Sequence, residues 1–114
     1  MSINTPDVAS INRAINHVLM FSQEYRPDFP GWLQENIHIY LEFERRALQV
    51  AKRREHYSAR TIVEVMRHDT AIGQLTGDFK INGNYVPDMA RLFSQLNPLY
   101  ECLFEFRREQ RLAA

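Results

Sequence analysis

Two acidic residues, Glu44 and Asp69, occupy positions where helical periodicity predicts apolar side chains. A carboxylate buried alone is costly, so each must be paired, hydrogen-bonded, protonated or placed at a cavity. If the helices that carry them pack as a hairpin, Glu44 and Asp69 approach one another, and Arg67, with His68 and Arg91 as alternatives, completes a buried polar cluster. Such a cluster either fixes helix packing through ion pairs or supplies a small enzyme with paired carboxylates. We favour the structural interpretation, and for Glu44 a partly exposed position also stays open.

Basic side chains are concentrated in the middle of the chain. Residues 45–67 hold seven basic and two acidic groups, whereas residues 1–44 hold two basic and six acidic groups. The formal net charge of zero therefore hides a segregated distribution. Cations in a row on one helix suit nucleic-acid phosphates or an acidic protein surface, although a solvated helix C-terminus has the same pattern. The candidate partner or nucleic-acid binding residues are Arg45, Arg46, Lys52, Arg53, Arg54 and Arg60.

Several aromatic residues do not fit the inward faces of the predicted helices. Tyr25, Phe29 and Phe104 are the candidates for an exposed aromatic interface, since Phe104 points away from the apolar stripe of its helix. Exposed aromatic side chains in a small domain indicate self-association or a protein partner. The alternative is that connecting segments fold back and cover them.

Residues with metal-binding or nucleophilic chemistry form no recognised motif. His17, His38, His56 and His68 are scattered along the chain, and no HExxH or CxxC pair is present. Cys102, the single cysteine, lies on an apolar stripe and is typical of a small core residue. We therefore predict no metal, no cofactor and no enzymatic activity.

The chain also lacks the usual signals for a membrane or an oxidising compartment. No apolar run is long enough to span a bilayer, and no basic-then-apolar leader begins at Met1. One cysteine cannot form an internal disulfide, so a reducing cytoplasm is the expected setting.

One long helix over residues 32–54 is predicted to organise the fold, because apolar residues cover more than half of its circumference. Ser58 is a plausible cap for the helix that follows. A short extended segment at 79–81 is the only β candidate. We expect one domain over residues 1–114, an all-α compact bundle of about five helices with at most one short β element. The other predicted helices cover 6–24, 59–72, 87–96 and 98–110.

Residues 87–110 also have the pattern of a helix-turn-helix, in which small residues let two helices meet closely. Its second helix would present Glu101 and Glu105, and no Arg, Asn or Gln is placed to read base edges. A plain helical hairpin is therefore the favoured interpretation of this segment.

Six short segments in the second half of the chain carry a resemblance to known proteins: Ser58-Ala59-Arg60, Glu64-Val65-Met66-Arg67, Asp78-Phe79-Lys80-Ile81-Asn82, Ala90-Arg91-Leu92-Phe93, Asn97-Pro98 and Phe104-Glu105-Phe106-Arg107. Through these segments, residues 57–107 resemble a family of small helical proteins encoded by bacteriophages and prophages. The resemblance implies a phage or mobile-element origin and the cytoplasm of an infected bacterium, and it brings no established activity or active-site residue.

These observations rank three functions. The first is a non-enzymatic binding protein that contacts a host or phage protein, or a second copy of itself as a homodimer. The alternative is a DNA-binding accessory or regulatory protein that uses the basic face of the long helix. The third is a small enzyme built on the Glu44 and Asp69 cluster.

Overall fold

The computed structural model describes residues 8–69 and 83–104, which form five α-helices without any strand. Three short 3-10 turns, Ser22–Glu24, Gly83–Tyr85 and Pro98–Tyr100, connect or extend the helices. The all-α class is therefore confirmed. In chain order the helices are α1 Val8–Met20, α2 Phe29–Glu35, α3 Ile37–Ala51, α4 Ala59–Arg67 and α5 Val86–Leu96.

Local chemistry explains where the helices begin. Ser58 caps α4 as predicted, because its hydroxyl accepts a hydrogen bond from the backbone N–H of Thr61 over 3.2 Å. Pro87 lies in the first turn of α5, where the missing N–H costs nothing. Asp28 precedes α2 but makes no side-chain cap, and its carboxylate instead accepts a hydrogen bond from the Tyr85 hydroxyl.

The core lies between α3 and α5. Helix α3 packs against α1, α2, α4 and α5, which agrees with its predicted central place. Helix α5 is the more enclosed of the two, because seven of its 11 residues are buried against four of 15 in α3. The largest fully buried side chains include Tyr40 and Phe43 from α3 and Phe93 from α5. Two helices therefore share the centre of the fold.

The prediction of one unbroken helix over 32–54 is wrong, because Asn36 separates α2 from α3. Asn36 has φ −128° and ψ 34°, outside the helical range, and its side-chain amide donates to the Trp32 carbonyl over 3.0 Å. An asparagine that bonds the preceding turn competes with the helical ladder. Helix α3 also ends at Ala51 rather than Arg54, so Lys52, Arg53 and Arg54 follow the helix.

The other predicted boundaries need smaller corrections, except at the end of the described chain. Helix α5 matches the predicted 87–96, whereas α4 ends at Arg67 instead of residue 72. Residues 98–104 form a 3-10 turn and bends, so neither the second helix of a helix-turn-helix nor a helical hairpin begins there. The β candidate at 79–81 and the predicted helix from 105 to 110 lie outside the described residues.

The three aromatic residues predicted to be exposed are buried, which corrects the proposed aromatic interface. Phe29 is 0%, Phe104 3% and Tyr25 6% exposed. The ring of Phe29 stacks on Tyr25, and Tyr85 from the second half of the chain lies against it. Phe104 turns inward between Phe43 and Phe93 because residues 98–104 are not helical. Connecting segments thus cover Phe29, as the alternative interpretation held, whereas Phe104 lies in a connecting segment itself and is covered by α3 and α5.

Candidate functional site

Glu44 and Asp69, the two acids with which the sequence analysis began, have different partners. Glu44 is half-buried and accepts hydrogen bonds from the Tyr40 hydroxyl at 3.2 Å and the Asn97 amide at 3.0 Å. Burial, and then the Glu44 carboxylate, raises the pKa of Tyr40 well above its ordinary value, so this hydroxyl stays a donor. The predicted ion pair of Glu44 with an arginine or histidine is therefore replaced by neutral donors.

Asp69 belongs to an ion-pair cluster that also contains Glu42, Arg45 and Arg46. Arg46 bridges two elements, since it contacts Glu42 at 2.6 Å on its own helix and Asp69 at 2.5 Å after α4. Arg45 makes a second contact with Glu42 at 2.6 Å. Burial raises the pKa of Glu42, but hydrogen bonds from Arg45 and Arg46 outweigh it and hold that pKa below its ordinary value. The cluster therefore joins α3 to the end of α4 through matched charges.

The predicted buried position of Arg67 is wrong. This side chain is exposed on α4 and pairs with Glu64 one turn earlier at 2.7 Å. A single buried cluster of Glu44, Asp69 and Arg67 is therefore absent. The contacts of Glu44 and of Asp69 both join packed helices, which supports the structural interpretation of these acids.

The six predicted binding cations divide into two groups. Arg45 and Arg46 belong to the ion-pair cluster, and Arg46 is too enclosed to meet a partner. The other four are exposed and have no carboxylate within 4.0 Å among the residues that the structure describes. Arg54 lies over the ring of Tyr57 at 5.8 Å. These four are Lys52, Arg53, Arg54 and Arg60.

Arg60 also lines a cleft of about 980 Å³, which we call the basic cleft. Arg26 reaches it from the connection before α2, Arg60 from the first turn of α4 and Arg91 from α5. Tyr57 and Phe104 contribute apolar surface to its wall. The cleft therefore combines three cations from three separate elements with an apolar floor.

Backbone contacts hold the wall of the basic cleft in place. The N–H of Tyr57 donates to the carbonyl of Leu103 over 2.8 Å, which ties the connection after α3 to the turn before Phe104. The Nδ1 of His56 lies 3.1 Å from the carbonyl of Cys102 in the same pair of segments. Because α4 starts directly after this connection, these contacts also fix the position of Arg60.

One buried acid, Asp88, lies in the wall of the basic cleft. It is 3% exposed, and its Oδ2 has no hydrogen-bond partner within the described part of the chain. Its Oδ1 lies 3.6 Å from Nη1 of Arg91, a distance beyond that of a hydrogen bond. Burial raises the pKa of Asp88, while the backbone N–H of Arg26 and the charge of Arg91 oppose that shift.

Sequence analysis found Arg60 but missed Arg26, Arg91 and Asp88 as members of one site. Arg26 is an isolated cation in an acidic first third of the chain, so charge counting does not single it out. Asp88 directly follows Pro87 and is ordinary for the start of a helix. The sequence does contain one local signal for the site. Arg91 follows Asp88 by three residues, a spacing that brings the two side chains together on one helix face.

Comparison with known proteins gives no relative: the chain matches no family model, no curated protein and no solved structure. Across residues 8–69 and 83–104, no three His, Cys, Asp or Glu side chains lie together as metal ligands would. None of the helices in those two ranges has the length and apolar character needed to cross a membrane. The candidate site therefore depends on its own geometry and charge.

Proposed function

We propose that this chain is a non-enzymatic binding protein that holds an acidic segment of another protein in the basic cleft. The supporting observation is the cleft itself, where Arg26, Arg60 and Arg91 surround apolar surface from Tyr57 and Phe104. Arginine binds carboxylates with paired, directional hydrogen bonds, and the apolar floor accepts a hydrophobic side chain between the acids. Buried apolar anchors with a charged rim are the usual arrangement of a protein interface.

The shape of the site favours a protein segment over a nucleic-acid duplex. Duplex DNA is read by an element that projects into a groove, whereas the cations here line a concave surface. The Asp88 carboxylate in the cleft wall would also repel a phosphate backbone. An extended or helical peptide can place separate acids against Arg26 and Arg60 while avoiding Asp88.

DNA binding stays the alternative proposal, and one observation favours it. Lys52, Arg53 and Arg54 follow α3 in succession and are exposed, on the outside of the molecule rather than within the concave surface. Three adjacent cations of this kind suit a phosphate backbone and give affinity that falls steeply with salt. The enzyme hypothesis is the weakest of the three, because Glu44 and Asp69 have separate structural partners.

The setting of the protein is also a proposal. A phage or prophage origin and the cytoplasm of a bacterial host rest on the resemblance of residues 57–107. Self-association as a homodimer has support from exposed apolar side chains on α1, since Val8 is 70% and Met20 75% exposed. Light scattering measures this directly, and a strictly monomeric mass at high concentration would argue against a homodimer.

The test of the main proposal compares two arginines of different environment. A fluorescein-labelled peptide with glutamates on both sides of a leucine is titrated with the wild-type protein, with Arg60→Gln and with the control Arg45→Gln. Arg60→Gln should weaken binding about tenfold or more, because a charge-assisted hydrogen bond contributes about 1.5–3 kcal/mol. Arg45→Gln should change affinity little, since Arg45 lies outside the cleft and pairs with Glu42.

The same titration with a labelled DNA duplex separates the alternative. Arg53→Ala combined with Arg54→Ala should abolish duplex affinity at low salt if the exposed cations bind phosphates. The main proposal would be refuted if Arg60→Gln left the peptide affinity unchanged, or if the peptide failed to bind the wild-type protein at low salt.

A further inference from the structure

The unpartnered Oδ2 of Asp88 needs a hydrogen-bond donor, which a ligand bound in the basic cleft can supply. A buried carboxylate oxygen without a donor costs about 1–3 kcal/mol or more, so native proteins rarely leave one unsatisfied. Neither Arg91 nor the backbone N–H of Arg26 satisfies Oδ2, since Arg91 approaches the other oxygen, Oδ1, at ion-pair distance, and Oδ2 has no donor among the described residues. The missing partner is a hydrogen-bond donor.

The surroundings of Asp88 define which donor suits it. Its wall of the cleft includes Val86 and Ala90, which are buried and apolar, so these residues supply no side-chain donor, and Asp88 itself is only 3% exposed, so little of its carboxylate can be reached. A long, thin side chain that ends in a cation suits such a carboxylate and gains a charge-assisted hydrogen bond. A lysine has this shape, whereas a second glutamate would be repelled.

We infer that the basic cleft selects a mixed-charge segment, in which acids contact Arg26 and Arg60 and a neighbouring lysine donates to Oδ2 of Asp88. This inference rests on the proposed function and adds the chemical class of the partner. Half of the Arg26 side chain is exposed, so it can turn towards an acid of the partner. Asp88 then acts as a specificity-determining residue, because a segment that carries a lysine beside its acids binds more tightly than a segment that carries acids alone.

The test is a double-mutant cycle between the protein and a synthetic peptide. One labelled peptide carries glutamates, a leucine and a lysine, and its matched version has methionine in place of that lysine. Each is titrated with the wild-type protein and with Asp88→Asn. For the lysine peptide, Asp88→Asn should weaken binding about tenfold or more, since close charge pairs at interfaces show coupling energies above about 1.4 kcal/mol.

For the matched methionine peptide, Asp88→Asn is expected to have the opposite effect on affinity. Asp88→Asn should leave its affinity unchanged or raise it, because the substitution removes a negative charge from a cleft that binds acids. Equal losses for both peptides would overturn the inference, since they would show that Asp88 only maintains the shape of the wall. The proposed function is then judged separately by Arg60→Gln, which should still weaken the binding of both peptides.

Failure of the proposed function has a different signature. If neither peptide binds the wild-type protein, both proposals are refuted together. The test remains valid even if Asp88→Asn fails to fold, because the affinities of the two peptides are also compared on the wild-type protein. There the lysine peptide should bind about tenfold more tightly than the methionine peptide, and equal affinity would overturn the inference.

Discussion

The ion-pair cluster and the basic cleft are both built from arginines and acids, yet they differ in how far their charges are satisfied. In the cluster, Arg46 contacts two carboxylates at 2.5 to 2.6 Å, and Glu42 receives a second arginine. In the cleft, three arginines line a concave surface with one acid, and that acid keeps an oxygen without a donor. The first region is closed within the chain, and the second leaves bonding capacity unused.

This difference separates charges that hold the fold from charges that suit a ligand. Matched pairs between α3 and the end of α4 fix the relative position of two elements and leave little to offer a partner. In the cleft, Arg91 keeps contacts with Asp88 and with the Glu24 carbonyl, whereas Arg26 and Arg60 are exposed and Arg26 lies 3.9 Å from Asp28. Exposed charges of this kind contribute about 0–1 kcal/mol to folding. Arg26 and Arg60 therefore suit a ligand, and changing them should cost little stability.

The largest expected effect concerns the floor of the basic cleft, which belongs to the hydrophobic core. Phe104→Ala removes a side chain that packs against Phe43 at 5.6 Å and Phe93 at 5.4 Å between ring centres. We expect a loss of about 3–5 kcal/mol in the free energy of unfolding, from lost burial and the cavity that remains. Urea denaturation measures it. Leu99→Ala is the control, at 92% exposure, and should change stability by less than about 0.5 kcal/mol.

A smaller effect is expected in the ion-pair cluster. Arg46→Met keeps most of the side-chain length but leaves Glu42 and Asp69 without their shared partner. We expect a loss of about 1–3 kcal/mol, less than for a fully buried pair because both acids keep some contact with water.

Its control is Arg45→Met in the same helix. That side chain is 53% exposed, so its removal should cost less than about 0.5 kcal/mol. If the two variants unfold at the same urea concentration, the distinction between a bridging arginine and a surface arginine is lost, and with it the view that the cluster is closed.

Helical periodicity was enough to predict the class of the fold and most of its elements. The apolar stripe of α5 and the cap at Ser58 are local features, so sequence alone located them well. The break at Asn36 was not predicted because apolar periodicity does not reveal a side chain that bonds the preceding turn. Phe104 was misplaced for another reason: its inward position depends on residues 98–104 being non-helical, which periodicity did not indicate.

The site was harder to predict because its members meet only after folding. Arg26, Arg60 and Arg91 are far apart in the chain, and each is ordinary in its own segment. The local run of cations at 52–54 lies in the connection between α3 and α4 that leads to Arg60. Charge density, however, does not reveal which cations already have partners. Arg45 and Arg46 show this limit, since Arg45 already pairs with Glu42 and Arg46 pairs with both Glu42 and Asp69.

The last comparison uses pH, because the acids of the two regions shift in opposite directions. The pKa of Asp88 is raised, mainly by burial, and that of Glu42 is lowered, because hydrogen bonds from Arg45 and Arg46 outweigh burial. Glu42 therefore adds stability above its unfolded-state pKa, which is lost as pH falls through its folded pKa. Asp88 adds stability below its unfolded-state pKa, which is lost as pH rises through its folded pKa.

At neutral pH, Glu42→Gln should thus lower the free energy of unfolding relative to the wild-type protein, and Asp88→Asn should raise it. Glu42→Gln should be less stable than the wild-type protein by about 1 kcal/mol, because it weakens hydrogen bonds to two arginines. Asp88→Asn should be more stable than Glu42→Gln. Its stability relative to the wild-type protein should increase as pH rises from acid towards neutrality. Urea unfolding over that pH range measures both differences, which should shrink towards low pH as each wild-type acid becomes protonated. A stability difference for Asp88→Asn that stays constant with pH would mean that the pKa of Asp88 does not change on folding. A difference that moves against the variant as pH rises would mean that this carboxylate is as well satisfied as that of Glu42, and either result would contradict the contrast between the two regions.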